Sequence, residues 1–402
     1  LCGIVGDIDS GYEFGKLAFS LLEKFNNRAN TKAKTVEIVC LSIKHWKEHI
    51  RETLNPLLEA YQSGLETGDL EYASFAALDY CSHSYVLGKE LNGLEQEIAT
   101  YSQAIHQLNQ TTVFHLNEIF HQGVLNLLGN AENPCYLIGK AYNEAQMLPI
   151  HQQANDISTM ALLYANKLIL CFLFGDLLEA REIAAKLELY LEGIPGQVFV
   201  PLFYFYDSLV RLELYYSSTT LEKEESLARV ATNQEKMKNW ADYAPMNYLH
   251  KFHLVEAERH RILGQNVEAM DLYNCAIAEA KENRYLNEEA LANELAAKFY
   301  LEWGKDKIAQ LYMMEAYHSY THWGALAKVQ DLEQYYPQLL TQTASNVRFS
   351  ATNTTTSSTT ATTLSDSLDL ISILKASQAL AQEIKLDTLL AKIGRASCRE
   401  RV

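Results

Sequence analysis

The sequence predicts an all-α protein built from stacked helical hairpins, on three observations. Of the 402 residues, 48% are hydrophobic, but only 18 are glycine and 7 are proline, too few turn-forming residues for an all-β chain of this length. Apolar residues recur at helical spacing over most of the chain. Short glycine-containing joints separate the apolar segments, so that one helix with its turn takes about twenty residues.

One helix–turn–helix joint recurs along the chain. Its best copy lies in residues 173–189, where Gly175 can close a helix in the left-handed conformation and Asp176 can cap the next helix. Glu179 would complete a capping box, and the small Ala180 would let two helices approach closely. Similar joints contain Gly68, Asp69, Ala73, Gly264, Glu268, Ala269, Gly304 and Ala309. This repetition predicts a tetratricopeptide-like α-superhelix over residues 1–340.

The predicted helices follow one another with glycine, asparagine or proline at their boundaries. In the first half of the chain they cover 11–26, 36–65 (a pair of helices), 70–87, 95–108, 113–128 and 141–147. In the second half they cover 158–174, 177–191, 198–216, 221–240, 248–263, 267–283, 288–303, 308–323 and 325–335. We expect their inner faces to share one continuous apolar core.

The composition changes after residue 340. Residues 341–367 are rich in Ser and Thr and carry too little apolar surface to offset chain entropy, which predicts a disordered linker. Residues 368–392 regain helical periodicity and are expected to form a signalling helix that could mediate homodimerisation. Residues 393–402 (IGRASCRERV) resemble a translated sequencing adapter and are expected to be an artefact. We therefore expect the chain to be a fragment of a longer protein.

Charge and cysteine content restrict the classes of function. A net charge of −16 disfavours nucleic-acid binding, because binding phosphate needs a concentrated basic face. The cysteines before the C-terminal decapeptide are widely spaced and form no CxxC pair, which is typical of reduced core residues and predicts a cytoplasmic protein. The sequence contains no run of 18 apolar residues, and it therefore predicts no membrane-spanning helix.

Two features could carry chemistry or bind a ligand. Glu118/His121 and Glu315/His318 have the Glu-x-x-His spacing of helical metal sites, but the pairs lie far apart in the sequence, and packing or surface positions are the favoured explanation. The aromatic helix over 198–216 could line a ligand groove with Phe203, Tyr206 and Tyr215, or could use its rings for helix packing. We predict no catalytic, cofactor-binding or metal-binding residue in this chain.

Four long segments together resemble one family of signalling proteins. They are residues 45–75, 131–149, 233–273 and 287–329, which include HWKEHIRETLNPLLEAYQSGLETGDLEYASF and NEEALANELAAKFYLEWGKDKIAQLYMMEAYHSYTHWGALAKV. They are similar to the helical region of cyanobacterial multidomain proteins. In that family a serine/threonine kinase and an AAA- or STAND-type ATPase precede the helical region, and a GAF domain and a histidine kinase follow it.

The resemblance implies a non-catalytic sensor or scaffold segment of a two-component signal-transduction kinase. Its partner would be another protein, a neighbouring domain of the same chain or a small molecule, and residues 368–392 would lead to the GAF domain. ATP and magnesium would belong to the parent kinase and not to this segment. Two alternatives stay open at this point: a small-molecule-sensing helical domain of a STAND-type ATPase, and a metal-dependent enzyme that uses the Glu-x-x-His pairs.

Overall fold

A computed structural model describes residues 1–24 and 29–341, and these residues confirm the all-α prediction. They contain no strand, only an isolated bridge between Ile138 and Asn143. The helices are α1 (Ile8–Lys24), α2 (Ala29–Ser42), α3 (Leu54–Thr67), α4 (Leu70–Val86), α5 (Leu91–Gln107), α6 (Thr111–Leu127), α7 (Glu144–Gln153), α8 (Ile157–Leu173), α9 (Leu177–Glu188), α10 (Phe199–Glu213), α11 (Thr220–Tyr243), α12 (Pro245–Ile262), α13 (Asn266–Glu282), α14 (Leu286–Glu302), α15 (Asp306–Trp323), α16 (Leu326–Tyr335) and α17 (Pro337–Thr341).

Most predicted helices lie within a few residues of their observed bounds, and the clearest difference is α7. The sequence predicts a short helix that ends at residue 147, before Pro149, whereas α7 continues through this proline to Gln153. An interior proline costs a helix one hydrogen bond. Burial of His151, which stacks on Tyr142, accompanies the extra turn. Apart from Thr341, the residues of the predicted linker, signalling helix and adapter segment lie outside the part of the chain that the structure describes.

The glycines of the four joints lie at the ends of helices with positive φ angles: +78° at Gly68, +74° at Gly175, +72° at Gly264 and +71° at Gly304. Only glycine adopts this conformation without strain. The alanines that follow, at positions 73, 180, 269 and 309, are fully buried where consecutive helices meet. Asp69 makes no side-chain hydrogen bond to the start of α4, and Glu268 is exposed on α13.

The capping box predicted at Asp176 and Glu179 forms only in part. The Asp176 carboxylate accepts a hydrogen bond from the backbone amide of Glu179 at 3.3 Å. The Glu179 carboxylate instead approaches the Lys167 ammonium at 3.6 Å. A complete capping box occurs at Thr219 and Glu222, at the start of α11. The prediction for Glu179 was wrong because a buried lysine on the preceding helix attracts its side chain.

The helices divide into an inner and an outer set. Outer helices bury one stripe at helical spacing, as α9 does with Ala180, Ile183, Ala184 and Leu187. Inner helices are buried on nearly every side, and in α8 each residue from Thr159 to Leu173 is buried. The inner set comprises α4, α6, α8, α10, α12 and α14, and α4, α6, α8, α10 and α12 pack successively against one another.

The stack of helices curves back on itself, so that the segment after α2 contacts residues near the starts of α10 and α12. His45, in a 3₁₀ turn after α2, hydrogen-bonds to the Tyr248 hydroxyl at 2.6 Å and to the Gly196 carbonyl at 2.7 Å. The Asn247 amide donates to the His45 carbonyl at 2.8 Å. These contacts join residues about 150 to 200 positions apart. The inner helices are therefore enclosed within one compact unit, to which all described residues belong.

Candidate functional site

A cavity lies where four inner helices end. It has a volume of about 350 Å³ and lies among the last turns of α8, α10, α12 and α14. We call it the acidic cavity, because four glutamates and only two basic side chains line it: Glu213, Glu258, Glu294, Glu302, Arg261 and Lys298. The remaining wall is mostly apolar, from Phe172, Leu173, Leu177, Leu291, Leu295 and Leu301, and Tyr336 lies beside it. Its volume is within the range of small-molecule sites in proteins.

Arg261 is bound to the wall of the acidic cavity by several carboxylates. Its Nε donates to Glu258 Oε2 at 2.8 Å, and its Nη1 donates to Glu302 Oε2 at 2.9 Å. Its Nη2 lies 3.5 Å from Glu213 Oε2, a much weaker contact. Charge-assisted hydrogen bonds of this kind stabilise a partly buried guanidinium. Arg261 therefore neutralises Glu258 and Glu302 first, and Glu213 only at the limit of hydrogen-bond distance.

Glu294 is the centre of a second ion cluster. Its Oε1 accepts from Lys298 Nζ at 2.9 Å and from Lys328 Nζ at 3.0 Å, and its Oε2 accepts from the Tyr320 hydroxyl at 2.8 Å. Burial alone would raise its pKa, but the two lysines lower the pKa of Glu294 to about 2. Glu294 is therefore ionised and fully satisfied by its partners.

Glu213 differs from the other carboxylates of the cavity. Burial, and after it the charge of Glu258, raise the pKa of Glu213, and Lys298 and Arg261 only partly offset this effect. Its side chain is still 22% exposed, because it faces the cavity instead of packed atoms. Glu213 is therefore the carboxylate with the weakest compensation in the acidic cavity.

The proposed aromatic groove residues lie elsewhere. Phe203 is 1% exposed and Tyr206 is 4% exposed, both inside the core, while Tyr215 is half-buried in a 3₁₀ turn after α10. Tyr206 packs against Phe172 with a ring-centroid distance of 5.6 Å, and Phe203 packs against Tyr204. Because both rings are covered by helices, they do not form an open groove on the protein surface.

The structure does not bring the two Glu-x-x-His pairs into one buried site. His121 is buried on α6, where Glu118 and Glu95 approach it at 3.3 and 3.1 Å. Burial lowers the pKa of His121, but these two hydrogen bonds outweigh burial and raise it. Glu315 and His318 are exposed on α15. Among residues 1–24 and 29–341, no group of three or more His, Cys, Asp or Glu side chains could hold a metal ion.

Sequence reasoning did not identify the residues of the acidic cavity, although α14 contains a signal for them. Leu291, Glu294, Leu295 and Lys298 follow one another at intervals of three, one and three, and so share one helix face. Glu and Lys four residues apart usually form an exposed ion pair, so the pattern alone indicates a solvated surface. The apolar residues Leu291 and Leu295 on the same face are the feature that distinguishes the wall of a cavity from a solvated surface.

Comparison with known proteins gives one informative similarity. The chain is similar to the hybrid signal transduction histidine kinase G of Dictyostelium discoideum, with 22% identity over 443 aligned residues. The alignment covers 85% of this chain but only 13% of that protein. No protein-family model matches the chain. In the part of the chain that the structure describes, no helix has the length and apolar character needed to cross a membrane.

Proposed function

We propose that this chain is a non-catalytic sensor or scaffold segment of a signal-transduction kinase. One observation carries the proposal: most of the chain is similar to a small section of a histidine kinase that is far longer. A helical section of this kind supplies an extended set of rigid positions for binding a partner, which suits a regulatory role. The fold also supports it, since the described residues are predominantly helical and contain no strand.

The finer form of the proposal is a tetratricopeptide-like array within a multidomain kinase. The four glycine joints and the alternation of outer and inner helices support this reading. In the parent protein, the array would receive a signal and pass it to a GAF domain and a histidine kinase. ATP and magnesium would bind to those catalytic parts, and the array itself would carry no phosphoryl-transfer residue.

The experiment that tests this function uses the complete parent protein. Autophosphorylation of its kinase is measured with the array intact and with residues 1–340 removed. We expect the deletion to change the basal rate or to abolish its response to the cellular signal. Unchanged basal rate and unchanged response in the deletion protein would contradict the proposal.

A second candidate is a small-molecule sensor, as in ATPases whose helical arrays bind an inducer. The specific observation that favours it is the acidic cavity, because a cavity of about 350 Å³ with an apolar wall and several charged groups has the size and composition of a ligand site. The two candidates are compatible, since a sensor array can regulate a kinase by binding a small molecule.

A further inference from the structure

The acidic cavity has an electrostatic bias that selects the charge of a ligand. Its side chains comprise four carboxylates and two cations, so the lining has a net charge of −2 when all are ionised. Glu213 lies at the C-terminal end of α10, Arg261 in the last turn of α12 and Glu302 at the end of α14. The C-terminal end of a helix carries a partial negative charge from its free carbonyl groups. Side chains and helix ends therefore both favour a cation.

The charged groups of the cavity are not equally available. Glu294 has three close donors, and Glu258 accepts from Arg261 and from the Tyr273 hydroxyl. Glu302 is 55% exposed and already accepts from Arg261. Glu213 combines a position facing the cavity with one ion-pair contact at the limit of hydrogen-bond distance, Arg261 at 3.5 Å, while Lys298 acts on it only at longer range. A cationic ligand would find its counter-ion at Glu213.

The apolar wall determines the rest of the ligand. Six apolar side chains line the cavity beside the charged groups, and Tyr336 adds an aromatic ring. A small inorganic cation would leave this apolar surface in contact with water, whereas an apolar group would bury it at a gain of roughly 25 cal/mol per Å². The complementary ligand is therefore amphipathic, with one charged end and one apolar end.

We propose that the acidic cavity binds a small organic ammonium ion, whose positive group pairs with Glu213 and whose apolar body packs against the leucines of α14. The inference names a ligand class for the sensing role described under Proposed function and rests on that role. A carboxylate of the same shape is excluded by the net negative lining, and a neutral molecule would leave Glu213 without a counter-ion.

The test uses the full 402-residue chain and three probes that share a phenyl ring: 2-phenylethylamine, 2-phenylethanol and phenylacetate. Binding is measured by isothermal titration calorimetry at low salt. We expect the amine to bind, the alcohol to bind at least about 10-fold more weakly because it lacks the charge-assisted pair, and phenylacetate not to bind. Equal affinity for the three probes, or preference for phenylacetate, would overturn the inference.

Two variants locate the site. Glu213→Gln should weaken amine binding by roughly 10- to 100-fold, the effect of losing one hydrogen bond to a charged group. Leu177→Trp keeps every charge but places a large ring at the cavity wall, and should abolish binding. Glu268→Gln, at an exposed position on α13, removes one carboxylate elsewhere and should bind as the unmodified chain does. Circular dichroism shows whether each variant is folded.

The outcomes separate this inference from the proposed function. Amine binding that Glu213→Gln and Leu177→Trp leave unchanged would place the amine at another site and overturn the inference. No amine binding, together with an altered kinase response when residues 1–340 are deleted, would refute the ligand class and leave the regulatory function standing. Amine binding without any effect of the deletion would refute the regulatory function instead.

Discussion

The buried carboxyl pair of Glu37 and Asp79 gives the sharpest prediction of stability. Glu37 lies on α2 and Asp79 on α4, each is 4% exposed, and each has one side-chain oxygen without a hydrogen-bond partner. Burial raises the pKa of Glu37 to about 7, although its hydrogen bond with Asp79 and the charge of Lys34 act in the opposite direction. Burial and the neighbouring Glu37 raise the pKa of Asp79 well above its usual range. The pair is therefore stable in the folded protein while it holds a proton.

The sign of the pH dependence follows from these shifts. Below pH 4.5, the ordinary pKa of a glutamate, Glu37 is protonated in both the folded and the unfolded chain. Its ionisation therefore does not change the free energy of unfolding in this pH range. Between this pH and about 7 the unfolded chain ionises first, so the free energy of unfolding falls by about 1.4 kcal/mol per pH unit. Above about pH 7 the loss is constant, on the order of 3 kcal/mol for Glu37.

Glu37→Gln removes this loss, because the amide has nearly the same shape, can donate to Asp79 and does not ionise. We expect its stability advantage over the unmodified chain to grow from pH 5 to 7 and then to level off. Urea denaturation followed by circular dichroism measures it. Glu23→Gln, exposed on α1, is the control and should change stability by less than about 0.5 kcal/mol. An advantage that does not vary with pH, or a less stable Glu37→Gln chain at pH 8, would refute the reasoning.

Three further predictions concern packing and buried charge. The buried Lys251 ammonium lies 2.7 Å from Glu288 Oε2, and Glu288→Gln leaves it without its counter-ion. This substitution should lower the free energy of unfolding, measured by urea denaturation, by about 3–5 kcal/mol. Adding Lys251→Met should restore much of the lost stability. Gly64→Ala would bring a Cβ to 2.8 Å from the Asp69 carbonyl and the Ala73 side chain, whereas Gly175→Ala enters open space at positive φ. Thermal unfolding should show that Gly64→Ala lowers the free energy of unfolding by about 1–3 kcal/mol, because the steric clash outweighs the gain in helix propensity. Gly175→Ala should lower it by about 1–2 kcal/mol, because alanine is strained at positive φ. Phe203→Ala should lower the free energy of unfolding by about 3–5 kcal/mol, because the ring is buried in the core, while Tyr216→Ala, at a 60% exposed position, should lower it far less.

The parts of the fold that depend on nearby residues could be predicted from the sequence. Gly68, Gly175, Gly264 and Gly304 end helices because their backbone conformation is set locally, within one turn. The limits of α8 follow in the same way from the Asp156 cap at one end and Gly175 close to the other, and Gly88 lies close to the end of α4. Such signals need no knowledge of the tertiary structure.

The acidic cavity could not be predicted, because distant segments create it. Glu213, Arg261 and Lys298 lie on three inner helices, and only the packing of these helices brings them together. The expected continuous apolar core is present, but buried polar residues that the sequence did not single out lie within it. His45 is enclosed by Tyr248 and Gly196 from remote helices, and Lys251 by Glu288 from α14. A polar residue on a helix indicates a solvated face unless the contacts across the structure are known.

A relay from the acidic cavity toward the end of the described chain needs a continuous physical connection with two arrangements. Glu294 supplies the physical connection, since it binds Lys298 at the cavity and also Lys328 on α16, whose Nζ lies 2.7 Å from Asp331 Oδ2. The second arrangement would be one in which Glu294 pairs with Lys328 alone. A cation bound at Glu213 would repel Lys298 and so weaken the hold of Lys298 on Glu294, which would leave Glu294 freer to attract Lys328. The ligand would then act on α16 through the charge of one buried carboxylate. Lys328→Met should therefore leave amine affinity nearly unchanged while it abolishes any effect of the amine on kinase output, whereas equal loss of both would assign Lys328 to binding instead of relay.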